Sequence, residues 1–178
     1  MTPVDRALQR IRERVALRHV PRGARLLDVG CADGTLSRRL GAHVREYVGI
    51  DPDAPDGDPR LQRGRFPDDL RALGPFDAIT MLAVFEHFPE SERAAVVAAC
   101  WKLLRPGGRV IVTVPAPVVD RIVDVLRALH LVHGMDIEAH HGYLPEKTPS
   151  HFAGFRVVTH ETFELGLNHL YVLERPAG

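Results

Sequence analysis

Apolar positions along the chain switch between two periods. Val4, Leu8, Ile11 and Val15 recur at spacings of four, three and four with arginines on the other faces, so residues 4–19 read as an amphipathic helix with one stripe on the core. Leu26-Leu27-Asp28-Val29-Gly30 is a short apolar run opening into a tight turn, and 35–42 has helical composition. Tyr47-Val48-Gly49-Ile50-Asp51 is a second strand ending in a carboxylate, and 51–60 is a Pro-, Asp- and Gly-rich loop. A weak third strand is expected over 61–66 and a short helix near 68–73. Phe76 to Leu82 is nearly unbroken in apolar residues and reads as a buried strand. A helix follows, with Ala94, Val97, Ala98, Trp101 and Leu104 on one face and Arg105-Pro106-Gly107-Gly108 as its stop signal, and 109–114 is a fifth strand.

Strands that alternate with helices imply right-handed βαβ units and a doubly wound α/β sheet covered on both faces. The chain ends differently: 154–163 and 168–174 are strand-like runs joined by a short turn around Gly166, a connection that only an antiparallel pair allows. Seven strands are expected, mostly parallel, in a Rossmann-like sheet with a terminal hairpin. One domain is expected over 1–178: an N-terminal helix (1–20), a ligand-binding core (24–114), an irregular segment with a helix over 118–133 that covers a substrate (115–153), and the hairpin (154–175).

Composition narrows the function. The 178 residues carry 23 Lys+Arg and 23 Asp+Glu, so no dominant positive field is present for a nucleic acid. Cys31 and Cys100 show no metal-ligand spacing, which fits a reducing, cytoplasmic setting, and no resident metal is expected. The N-terminus lacks the apolar core of a secretory signal, and no stretch approaches the roughly 18 apolar residues that span a membrane. Arginines outnumber lysines 21 to 2, which suggests a GC-rich bacterial source. Five of the ten histidines, His130, His133, His140, His141 and His151, lie within 22 residues.

The first strand-to-helix turn is the most informative stretch. A dinucleotide fingerprint requires glycine where Gly30, Ala32 and Thr35 stand, so the nicotinamide reading loses two of its three glycines. What remains is Asp28-x-Gly30-x-Ala32-x-Gly34, small residues at alternate positions that let backbone pass close to a ligand without a pyrophosphate.

This motif resembles the first motif of the class I S-adenosylmethionine-dependent methyltransferases, with Ala32 in place of the middle glycine. The resemblance continues through Val48-Gly49-Ile50-Asp51, Phe76-Asp77-Ala78-Ile79 with Glu86-His87, and Leu104-Arg105-Pro106-Gly107-Gly108, over about 24–174. It implies S-adenosylmethionine as cofactor, S-adenosylhomocysteine as product, and methyl transfer to a small-molecule acceptor by in-line displacement. Asp28, Gly30, Cys31, Ala32, Gly34 and Ala83 would line the methionine and ribose side, and Gly34 should face the ligand. Asp51 would bind the ribose hydroxyls, Pro52 would lie beside it, and Phe66 would flank the adenine. The acid that commonly reaches the adenine amine in this family has no evident counterpart. Each residue also has a plainer reading: Asp51 as a turn former, Phe66 as core, His87 as a helix-entry residue bonded to backbone.

His140, His141 or His87 would serve as a general base, since a neutral imidazole near pH 7 can take a proton from a hydroxyl or amine. The bland alternative is surface or structural histidines. The length favours a compact substrate or a site completed by a second copy in a homodimer. Competing readings are a non-catalytic partner subunit of the same fold and a protein methyltransferase.

Overall fold

Near-continuous apolar runs form the inner strands, and a computed structural model, which describes residues 3–116 and 143–177, places them in one sheet. The elements are α1 (Pro3–Leu17), β1 (Ala24–Val29), α2 (Thr35–Leu40), β2 (Val44–Asp51), β3 (Leu61–Arg63) and β4 (Phe76–Leu82). They continue with α3 (Glu90–Leu103), β5 (Leu104–Pro115), α4 (Thr148–His151), β6 (Arg156–Phe163) and β7 (Asn168–Glu174). The order is β3-β2-β1-β4-β5-β7-β6, with β7 antiparallel to both β5 and β6. This is the expected doubly wound sheet with its terminal hairpin. No helix among the described residues is long and apolar enough to cross a membrane.

Each face of the sheet has its own core. Val96, Val97 and Cys100 of α3 and Phe152, just after α4, pack on one face against Ile79, Met81 and Val112. Val15 and Ala16 of α1 with Leu36 and Leu40 of α2 pack on the other against Ala78, Ile111 and Val172. Because β2 and β4 flank β1, the chain crosses the sheet in opposite directions on its two sides, and a crevice opens at the C-terminal ends of β1 and β4.

Four local expectations need correction. No helix forms over 68–73; Asp69 N–H donates to the Arg65 carbonyl at 2.9 Å, but after that single turn the Gln62 side chain takes over, its Oε1 accepting the Arg71 N–H at 3.0 Å. The inward face of α3 is Arg93, Val96, Val97 and Cys100, while Ala94 and Ala98 are exposed, because alanine fits either environment and marks no face. Pro106-Gly107-Gly108 does not end the helix in a free turn: it forms an irregularity inside β5, where Phe76 pairs with Leu104 but Ala78 with Arg109. Ile11 is exposed and Glu13 buried, so the inner stripe of α1 is rotated from the predicted one.

Residues 143–152, expected as loop, are packed structure. Tyr143 and Phe152 are buried, and Phe85 meets Tyr143 edge-on at 6.0 Å and Phe152 at 5.0 Å between ring centroids. The predicted helix over 118–133, and His130, His133, His140 and His141, lie outside the described residues. Phe85 thus joins the turn after β4 to α4, and Phe85→Ala should lower unfolding free energy by about 3–5 kcal/mol in denaturant titrations. A loss below about 1 kcal/mol would show that the junction collapses around the gap.

Candidate active site

The crevice is a cleft of about 660 Å³, within the range of small-molecule sites. Four walls enclose it: the β1–α2 turn, the segments after β2 and β3, the β4–α3 turn, and α1. Its floor begins at Gly30, whose φ is +77°. A Cβ there would lie 2.2 Å from Cγ2 of Val84, so only glycine allows the β1 and β4 turns to approach this closely.

Ala32 holds the left-handed region at φ +46°, and its N–H donates to Oδ2 of Asp51 at 3.0 Å. Asp53 N–H donates to Oδ1 at 2.8 Å. The Asp51 carboxylate is therefore fixed in orientation, while each oxygen keeps acceptor capacity for a ligand hydroxyl. Pro52 lines the cleft beside it. Phe66 is part of the core, as its plainer reading has it, and also lines the cleft wall.

Gly34 departs from expectation. It has φ +72°, but a Cβ would meet Leu61 Cδ1 at 2.7 Å, so its missing side chain makes room for the core, and it does not line the cleft. Cys31 is buried and lines the cleft; burial first, then the nearby Asp28 and Asp51 carboxylates, push its thiol up to about 12. It is a wall, not a nucleophile.

Asp28 is buried in the cleft lining, accepting hydrogen bonds from the Tyr47 hydroxyl at 2.6 Å and the Thr80 hydroxyl at 2.7 Å. Burial pushes its carboxyl up to about 6, against those two hydrogen bonds, which favour the ion.

Across β1, the turn after β4 supplies Ala83, Val84, His87 and Phe88 to the cleft. Ala83 is left-handed at φ +57° and its N–H donates to the Thr113 carbonyl at 2.9 Å. Buried Arg93 holds this turn from α3, with Nε donating to the Phe88 carbonyl at 3.0 Å and Nη2 to the Glu86 carbonyl at 3.3 Å. Its guanidinium lies 4.5 Å from the centre of the Tyr143 ring. Of the three histidines named as bases, His87 lies in the cleft wall, and His140 and His141 lie outside the described residues. No group of three or more metal-ligating side chains occurs among the described residues.

The fourth wall escaped the sequence reading. Leu8, Gln9, Arg12 and Glu13 of α1 line the cleft. Burial lowers the Arg12 pKa, opposed by Glu86, Glu164 and Glu13, and Glu13 pairs with Arg39 at 2.6 Å. The available signal was Gln9, Arg12 and Glu13 at spacings of three and one, a polar strip on a helix already given an apolar one.

The raised Asp28 pKa has a defined sign. Between the ordinary value of 3.8 and about 6, the folded chain keeps a proton that the unfolded chain has lost, so this group's contribution to stability falls as pH rises through that window and levels off above it. Asp28→Asn lacks that dependence. Urea unfolding at pH 4, 5, 6 and 7 should show the difference between variant and parent moving in the variant's favour as pH rises, and a pH-independent difference would contradict the assignment.

Known proteins resemble this chain at two levels. Over 111 residues it is 38% identical to the ubiquinone biosynthesis O-methyltransferase of Xanthomonas axonopodis pv. citri (strain 306), covering 54% of this chain and 45% of that one. Over 105 residues it is 40% identical to the protein of the same name from Xylella fastidiosa (strain 9a5c), covering 51% and 42%. The match thus spans less than half the length of these curated relatives. In fold it is similar to a SAM-dependent methyltransferase from Archaeoglobus fulgidus, with TM-score 0.73, 15% identity, and 95% and 94% of the two chains covered. It is also similar to the N-methyltransferase NodS from Bradyrhizobium japonicum WM9, with TM-score 0.68, 15% identity, and 97% and 98% covered. S-adenosylmethionine is the cofactor of this family and fold, and the cleft has features that suit it: a glycine floor without room for a Cβ at position 30 and an oriented carboxylate with acceptor capacity to spare. A model of the methyltransferase domain matches residues 3–158, and the chain belongs to that family.

Proposed function

We propose that this chain transfers the methyl group of S-adenosylmethionine to a hydroxyl oxygen of a small, largely apolar acceptor. The observation that carries the reading is the Asp51 carboxylate, held by two N–H groups at the edge of a cleft of about 660 Å³. Oxygen as the methylated atom is supported by the name of the curated relatives, and a small apolar acceptor by the apolar wall residues Leu82, Val84 and Phe88 on the β4 side and Leu8 of α1.

When bound, S-adenosylmethionine supplies an activated methyl group on a positively charged sulfur. Asp51 receives the ribose hydroxyls, and the backbone at Gly30 and Ala32 gives the ligand a close approach. Leu82, Val84 and Phe88 exclude water from the transfer path, so that the reacting atoms meet in line rather than in solvent. His87 takes the proton that the acceptor hydroxyl loses as its oxygen bonds to the methyl carbon.

Asp51→Ala should weaken S-adenosylhomocysteine binding by roughly 1.5–3 kcal/mol, about tenfold to more than a hundredfold, because two charge-assisted hydrogen bonds are lost. Calorimetry on the folded variant reads this directly, and unchanged affinity would remove the ribose assignment. Methyl transfer from labelled S-adenosylmethionine to a panel of phenols tests the acceptor class; labelling of protein substrates with none of the phenols would overturn it. With a reactive phenol, His87→Gln should lower turnover by about 10² and leave S-adenosylhomocysteine affinity unchanged. Normal turnover would exclude His87 as the base.

A further inference from the structure

On the β2–β3 side of Asp51 the cleft is bounded by Pro52 and Asp53 after β2 and by Gly64, Arg65 and Phe66 after β3. The two strips are tied together, because Gly64 N–H donates to the Asp51 carbonyl at 3.1 Å. A base attached to a ribose on Asp51 would lie here. Pro52 and Phe66 offer it apolar surface and no side-chain hydrogen bond.

Most neighbouring polar side chains are turned to other partners. Asp69 accepts the Arg65 backbone N–H through Oδ2 at 2.7 Å, its Cβ stands 2.5 Å from where a Cβ of Gly64 would be, and it does not line the cleft. The Gln62 amide is bonded to the backbone of Asp69 and Arg71. Nearby arginines are paired, Arg60 with Asp58 at 2.7 Å and Arg63 with the Ala54 carbonyl at 3.0 Å. Arg65 is different: it is exposed and lines the cleft, and among the described residues no hydrogen bond or ion pair engages its guanidinium. Asp53 also lines the cleft: its backbone N–H donates to the Asp51 carboxylate, and its own side chain is the acidic alternative to Arg65 that Asp53→Asn distinguishes.

We infer that the base subsite of the cleft is read by donation from the Arg65 guanidinium to acceptor atoms of a purine, and not by a carboxylate that receives the exocyclic amine. The inference rests on the cofactor reading above. A guanidinium has five N–H donors and no acceptor, so it has nothing to offer the 6-amino group of adenine. It can donate to N7 and stack on the ring, and it matches a purine with a carbonyl at position 6 in bidentate fashion through O6 and N7. The subsite therefore accepts a 6-oxopurine at least as readily as adenine.

The test compares S-adenosyl-L-homocysteine with S-inosyl-L-homocysteine by calorimetry on the parent chain, Arg65→Asp and Asp53→Asn. The parent should bind the inosyl compound as tightly as the adenosyl one, within about threefold, or more tightly. Arg65→Asp should reverse this to an adenosyl preference of about tenfold or more, and Asp53→Asn should leave the parent ratio unchanged. A parent preference for the adenosyl compound above tenfold overturns the inference while leaving the cofactor reading intact. So does a ratio that moves with Asp53→Asn and not with Arg65→Asp. Failure of both compounds to bind overturns the cofactor reading and this inference with it.

Discussion

A side chain at position 30 would have to stand where Val84 already is, 2.2 Å away, and this exclusion sets the geometry of the whole crevice. It brings the turn after β1 against the turn after β4, and the left-handed Ala32 then sends its N–H to Asp51. The left-handed Ala83, anchored on Thr113, turns the chain toward His87. Non-glycine residues in this region carry strain of order 1 kcal/mol or more each. Two of them, one in each of the turns that meet at Gly30, indicate a conformation imposed by the surroundings of a site.

The surroundings that impose it are buried polar groups. Tyr47 and Thr80 hold Asp28 in the floor, and Arg93 holds the carbonyls of the turn after β4. Each donor is matched to an acceptor inside the core, where an unmatched one would cost about 1–3 kcal/mol. The floor is thereby fixed before any ligand arrives.

Much of this was legible in the chain. The alternation of strand and helix, the terminal hairpin around Gly166 and the acid closing β2 all follow from local patterns, and the structure holds them close to the expected residues. What was illegible depended on partners distant in sequence or on residues indifferent to their surroundings. Gln62 replaces the hydrogen bonds that a helix over 68–73 would have made, alanines conceal the true face of α3, and Leu61 explains Gly34 in place of a ligand. Arg93 reads as a surface residue until the carbonyls it serves are folded beneath it. The polar strip of α1 has meaning only once the cleft it covers exists.

That strip has a thermodynamic consequence. The first helix of the chain completes a cleft whose other walls come from residues 28–89, and Val15, Ala16 and the Glu13–Arg39 pair hold it there. Docking of the helix and occupancy of the cleft are therefore linked equilibria. Whatever fills the cleft adds its binding free energy to the docked arrangement by mass action, so that the amino-terminal turns are more firmly held in the loaded protein than in the empty one.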